Sequence, residues 1–338
     1  MKQSRIQCVF LGTPEFALPS LKALIDHEGI DVRALVTQPD RPAGRGLKNT
    51  APAVKSFAQL HDIPVFQPKS IKTLSASEQM EPGLLIGSKS SAPLAEFLNK
   101  HIPLDVIICV AYGKIIPPAL LSFAKAGVVN VHPSLLPRWR GAAPIQRALF
   151  AGDRKTGVSI MQIDEGLDSG PVFAMRKVEL CRGHTSGQVH DVLAELGAEL
   201  LLESLEQIVD GSLKALPQKD DGLTYAEKWE KKDLEVIWTE SAATCERRVC
   251  ASAPRPGARC YFGDSLLKIH RVREVAMPAG CVPIQEGTVV VANDAELIVA
   301  CGGNSYLTLE EIQFPGKKKI TASEVFRGRH LKQGDLLC

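Results

Sequence analysis

The 338-residue chain is 45% hydrophobic and 23% charged, with a net charge of +2, which is ordinary for a soluble globular protein of two domains and excludes neither a small-molecule enzyme nor a nucleic-acid binder. Nine scattered cysteines include no C-x-x-C pair, so a disulfide framework or a zinc site is not expected. No run of about 18 apolar residues offers a membrane span, and Met1-Lys2-Gln3-Ser4-Arg5 leads straight into a strand too short for a signal-peptide core, so a reduced, cytoplasmic protein is expected.

Ile6–Leu11 predicts a first strand, ended at Gly12-Thr13-Pro14, where Thr13 can cap a helix and Pro14 can open it. That junction lacks the three spaced glycines of a dinucleotide site, and any strand-to-helix unit needs such a turn. Phe16, Leu18, Leu21, Leu24 and Ile25 predict a helix from Glu15 to about His27. Further strands are expected at Val32–Thr37, Val65–Phe66, Asp105–Val110, Val128–Val131, Ser159–Ile163 and Pro171–Val178. The strongest helical pattern runs from Gly187 to Val209. Short buried strands alternating with helices predict an α/β fold, a Rossmann-like domain with a mostly parallel sheet, over 1–211. Polar, turn-rich 212–232 reads as a linker. From 233 the pattern changes to one helix, Ala242–Ala251, and several short strands, which predict a smaller β-barrel domain over 233–338.

Three places carry candidate chemistry. Gln38–Lys48, after the second strand, has two prolines and two glycines that argue against helix or strand, and three bases (Arg41, Arg45, Lys48) against Asp40. It is either an exposed loop or a basic finger for nucleic-acid phosphates. Asn130 and His132 are two apart on a strand, so they share a face about 7 Å apart, at the carboxyl end where open sheets bind ligands. They are either a satisfied polar pair or catalytic groups. The Ser134-Leu135-Leu136-Pro137 loop that follows could bond a planar heterocycle through its backbone while Leu135 and Leu136 cover the faces. Gly141–Gln146 opens a helix with small residues. Asp168, in Gly166-Leu167-Asp168-Ser169-Gly170, either caps its own turn or orients the imidazole. Asp164 competes for that role.

These residues resemble the folate-dependent formyltransferase family. The resemblance is carried by Asn130-x-His132, Ser134–Pro137 with Arg138-x-Arg140-Gly141, and Gly-Leu-Asp168-Ser-Gly. Gly12–Phe16, Thr37–Arg45, Pro137–Gln146, Tyr225–Lys228 and Pro254–Ala258 match most narrowly the branch that formylates methionyl-tRNA. The resemblance implies a Rossmann-like domain that binds 10-formyltetrahydrofolate and an OB-fold-like C-terminal barrel. It implies formyl transfer to the α-amino nitrogen of methionine on initiator tRNA, without a metal. Asn130, His132 and Asp168 match the catalytic positions, Ser134, Leu135, Leu136 and Pro137 the folate-contacting loop, and Arg45 the tRNA-contacting loop. One departure is an insertion of roughly twenty residues between Pro68 and Asp105, expected as a loop excursion around Ser75–Ala95.

Charge distribution adds a further indication. Seven Lys/Arg face three acids over 241–275, and six face two over 315–338. On a small β-barrel such excesses suggest a phosphate-tracking surface. The expected tRNA contacts are Arg41, Arg45, Lys48, Arg247, Arg248, Lys317, Lys318 and Lys319, on a chain expected to act as a monomer. The competing readings are a formyltransferase for a small amine, a hydrolase releasing formate, and a non-catalytic tRNA-binding protein.

Overall fold

The computed structural model describes residues 5–43, 48–76, 84–279 and 284–338. Two compact units divide the chain. The first gathers the described residues of Met1–Gly141, Gly157–Lys177 and Asp191–Tyr225, and the second those of Ala142–Thr156, Val178–His190 and Ala226–Cys338.

A seven-stranded sheet organises the first unit. Its strands are β1 Ile6–Gly12, β2 Ile30–Val36, β3 Val65–Phe66, β4 Val106–Val110, β5 Val128–His132, β6 Lys155–Gln162 and β7 Val172–Glu179, in the spatial order β7-β6-β5-β4-β1-β2-β3. The pairs β1–β2, β1–β4, β2–β3 and β4–β5 are parallel. β4 and β5 are buried at every residue, which is why they read as continuous apolar runs rather than alternating ones. β6 turns back antiparallel on β5. Chain order reverses between β1 and β4, so the carboxyl ends of β1, β4 and β5 border a topological switch point, where open sheets place their ligands.

Helices cover this sheet. α1, Leu18–Asp26, has a short 3-10 turn at Glu15–Ala17 before it. α2 (Ala53–Leu60) was not expected from the sequence. The segment expected as a loop excursion is partly ordered: Ser75–Ala76 pairs with Leu85–Ile86, and α3, Ala92–Lys100, follows with Leu94, Ala95 and Leu98 in the core. Proline at the start of α3 fits the first helical turn, where its missing N–H is no loss. Residues 38–48, expected to exclude strand, contain Arg41–Ala43 paired antiparallel with Lys48–Thr50. The proline and alanine at 42–43 tolerate extended backbone at such an edge.

The second unit contains α4, Pro144–Ala151, packed on α6, Ala242–Ser252. Between them in sequence runs the long α5, Ser186–Val209. In its first-unit portion a Cβ on Gly197 would stand 2.7 Å from Val131 Cγ1, so glycine lets that helix approach β5 directly beneath the His132 strand end. An antiparallel sheet completes the second unit: β8 Ala258–Phe262, β9 Ser265–Val275, β10 Val289–Ala292, β11 Leu297–Cys301, β12 Ser305–Gln313 and β13 Lys319–Thr321, ordered β8-β9-β12-β11-β10 with β13 on β12. Register shifts around Arg271 bend β9. Ala258 and Cys260 from one edge strand share a single core with Val289 from the other, as in a small barrel. A short helix, α7 Ala322–Arg327, is capped by Thr321 and Glu324 reciprocally.

Candidate active site

β5 sets the site. Asn130 lies opposite Cys109 of β4 and Met161 of β6, and His132 opposite Ser159. Ladder pairing on both sides fixes Asn130 and pairing to β6 fixes His132, and the two side chains, two residues apart, leave the strand on one face. Asn130 is 8% exposed and His132 4%. Among the described residues the Asn130 side-chain amide has no hydrogen-bond partner. Its nitrogen and oxygen are not shut away from solvent, so the amide stays available to a ligand group that enters the site. Burial pushes the Cys109 thiol up to about 12, so this neighbour stays protonated and is no nucleophile.

His132 is held from both ring nitrogens. Nε2 lies 2.9 Å from Trp139 O, and because a carbonyl only accepts, Nε2 carries a proton. Nδ1 faces Asp168 Oδ2 at 3.7 Å, too far for a hydrogen bond and near enough for an ion pair. The same Asp168 oxygen accepts Gly141 N–H at 2.8 Å. Asp164, the competitor, is spent elsewhere. It accepts Gly166 N–H at 3.0 Å and Ser169 Oγ–H at 2.9 Å. The turn is therefore capped by Asp164, leaving Asp168 for the imidazole.

The 134–141 loop departs in part from its expected role. Ser134 is fully buried, donating its hydroxyl to Arg138 O at 2.6 Å. Leu136 N–H donates to Ser159 Oγ at 3.1 Å, and Ser159 Oγ–H donates to Ser134 O at 2.7 Å. Leu136 packs with Met161 and Val172, so its side chain is turned into the core. Apolar burial beside β6 outweighs exposure to a cleft. Leu135 and Pro137, both half-buried, are the members of the quartet open to a ligand. Ser159, which braces this turn, was not identified from sequence. Gln218 and Thr224 were also missed. Gln218 Nε2 donates to Asp168 O and Gly170 O, and Thr224 Oγ1 accepts Trp139 N–H.

The basic candidates divide. Arg41 is exposed and donates to Gln38 Oε1 at 2.5 Å. Below it, the Gln67 amide and the Lys55 ammonium beside Asp40 hold that carboxyl below its usual range and anchor the strand pair. Arg45 lies outside the described residues, and Lys48 is described only as backbone of the short strand. Arg247 is half-buried, donating to Phe150 O and Thr244 Oγ1. Arg248 must be withdrawn as a phosphate contact. It is 5% exposed, its guanidinium spans both Glu240 oxygens at 2.9 and 2.8 Å, and it lies over the Phe150 ring. Lys317, Lys318 and Lys319 are exposed, with Lys318 near Glu324 and Lys319 on Glu311. Among the described residues no cluster of three His, Cys, Asp or Glu could hold a metal ion, and no helix is long and apolar enough to cross a membrane.

A family model described as formyl transferase matches residues 5–205, and one described as formyl transferase, C-terminal domain, matches 228–330. The chain is similar to the methionyl-tRNA formyltransferase of Halorhodospira halophila, 42% identical over 327 residues, covering 97% of each chain. It is equally similar, at 42% over 331 residues, to that of Myxococcus xanthus, covering 98% of this chain and 97% of the relative. Among solved structures it resembles WlaRD, a sugar 3N-formyl transferase determined with dTDP and 5-N-formyl-THF, at a TM-score of 0.62 and 15% identity over 93% of this chain and 99% of that one. HypX from Aquifex aeolicus, in complex with tetrahydrofolic acid, gives a TM-score of 0.56 at 18% identity, covering 99% of this chain and 51% of that one. At these identities the structural likenesses speak for the fold alone.

Proposed function

We propose that this chain, which belongs to the formyl transferase family, moves the formyl group of 10-formyltetrahydrofolate to the α-amino group of methionine on initiator methionyl-tRNA. The observation that carries the chemistry is the unspent Asn130 amide, on one strand end with an imidazole that faces Asp168. The acceptor is argued from relatives about 42% identical over nearly the whole length of both chains.

The residues then have distinct work. Amine attack on the formyl carbon forms a C–N bond and puts negative charge on the formyl oxygen. Asn130 donates its amide N–H to that oxygen. His132 Nδ1 takes the proton that the amine must lose, since Nε2–H is committed to Trp139 O. Asp168, 3.7 Å from Nδ1, faces the imidazolium so formed. Collapse of the tetrahedral carbon breaks the bond to the folate nitrogen, and His132 returns the proton to that nitrogen. Leu135 and Pro137 offer the loop's open surface to the folate. Arg41, Arg45, Lys48, Arg247 and Lys317–Lys319 meet tRNA phosphates. The domains are a catalytic 1–211, a linker 212–232 and a tRNA-binding 233–338, acting as a cytoplasmic monomer.

The test is direct. The protein is incubated with 10-formyltetrahydrofolate and methionyl-initiator tRNA, methionyl-elongator tRNA, or an amino sugar nucleotide. Formylmethionine from the initiator substrate is expected. No formylation of either tRNA refutes the reading, and formate released without an acceptor would favour a hydrolase.

A further inference from the structure

Asp168 adopts a left-handed backbone conformation, φ +50°, which aspartate enters more readily than most residues with a side chain and which sets the direction of its carboxylate. Two carbonyls of its turn, Asp168 O and Gly170 O, accept from a single side-chain amide, Gln218 Nε2, at 2.8 and 2.7 Å. The oxygen of that amide accepts from Arg140 Nε at 2.9 Å. Arg140 is buried and precedes Gly141, whose N–H reaches back to the Asp168 carboxylate. A closed ring results: turn backbone, Gln218, Arg140, Gly141, Asp168 side chain. Only one orientation of the Gln218 amide serves it, because a flip would set oxygen against two carbonyls and NH₂ against a guanidinium.

A second thread ends close by in sequence. Thr224 Oγ1 accepts Trp139 N–H at 2.9 Å and Thr224 O accepts Arg140 N–H at 3.0 Å, and Trp139 O is the carbonyl that receives His132 Nε2–H. The groups facing both imidazole nitrogens are thus tied to the stretch 218–224, which the sequence presents as an exposed polar crossing.

We propose that Gln218 is a positioning residue that holds Asp168 against His132 and so sets the rate of the chemical step. This rests on the formyl-transfer reading above. Gln218 touches no reacting atom in that scheme and acts through Asp168, so its removal should slow turnover while sparing substrate binding.

Gln218→Met keeps length and volume but removes all three hydrogen bonds. The expected result is a kcat lower by about 10–100-fold, with KM for 10-formyltetrahydrofolate and methionyl-tRNA within about threefold of wild type. In an Asp168→Asn background the same change should cost at most about threefold, because the two residues act through one contact. Gln218→Asn, shorter by one methylene and still polar, guards against a misfolded variant. It should melt near wild type and still lose about fivefold or more in kcat. A kcat within about twofold of wild type in folded Gln218→Met or Gln218→Asn, or equal losses in both Asp168 backgrounds, overturns the proposal. A wild-type arm that makes no formylmethionine instead overturns the formyl-transfer reading and this one with it.

Discussion

Removing the Asn130 amide separates catalysis from stability more cleanly than any other single change in this site. Asn130 is 8% exposed, and its backbone is fixed by pairing to Cys109 and Met161, neither of which needs the side chain. No intramolecular hydrogen bond to the amide exists among the described residues, so Asn130→Ala leaves no orphaned partner behind. The stability cost reduces to a few lost contacts, about 0.5–1 kcal/mol, or a melting shift of only a few degrees. An oxyanion donor is worth far more to the rate, about 10²–10³-fold in kcat, or roughly 2.7–4 kcal/mol. Steady-state formylation of initiator methionyl-tRNA, with each substrate varied in turn, reads the split, and circular dichroism melting reads the fold. The expectation is a collapse in kcat with folate KM within about threefold. A kcat within about threefold of wild type, or a loss confined to folate KM, would refute the assignment of Asn130 to the developing oxyanion.

Three other predictions concern the second unit. Arg248→Met removes a buried guanidinium from Glu240, whose side chain is partly solvated; the fold should lose about 1–3 kcal/mol, while the salt dependence of tRNA binding stays as in wild type. Lys317→Glu, at an exposed position, should do the reverse, keeping the melting temperature and lowering the log–log salt slope by about one; a salt-slope change in Arg248→Met would restore Arg248 as a phosphate contact. Burial holds the His270 imidazole below its ordinary pKa, against a weaker opposing bond to Gln313. The unfolded chain therefore takes up a proton first, so stability is complete above about pH 6.5 and falls as pH drops towards the folded-state value. Melting temperatures between pH 7.5 and 5 should decline less in His270→Gln, and an unchanged slope in that variant would remove His270 as the cause.

Periodicity and apolar runs made the sheet and the longest helix legible, because β4 and β5 are buried throughout and α5 buries Val189, Leu193, Leu200, Leu201, Leu205 and Ile208, although Val192 of the same stripe is exposed. Where sequence reading stopped, the missing information was long-range. Asp164 and Asp168 are both turn aspartates, and what separates them is their partners: the Gly166 N–H and Ser169 hydroxyl close on Asp164, while Gly141 N–H and His132 face Asp168. Gln218 sits in a polar run without period, and its meaning depends on residues 140, 168 and 170 arriving together. Arg248 was misjudged for a different reason. Charge counting ignores faces, yet Cys245, Val249 and Ser252 are all buried on α6, and 248 falls on that same side by helical spacing. That signal was available in the sequence.

The division of proton work at His132 follows from which atoms are already engaged. Trp139 O accepts the hydrogen bond of Nε2–H, so that nitrogen cannot exchange its proton without breaking the bond that orients the ring. Asp168 Oδ2 accepts Gly141 N–H and stands 3.7 Å from Nδ1, a separation at which charge is felt and a proton is not shared. In the proposed scheme Asp168 therefore contributes field and orientation, while the proton passes between the amine, Nδ1 and the departing folate nitrogen. Asp168→Asn keeps the shape and the acceptor for Gly141 but removes the charge, so its cost measures the field alone. Asp168→Ala also releases the Gly141 N–H, and a larger loss there than in Asp168→Asn would weigh the orienting bond separately.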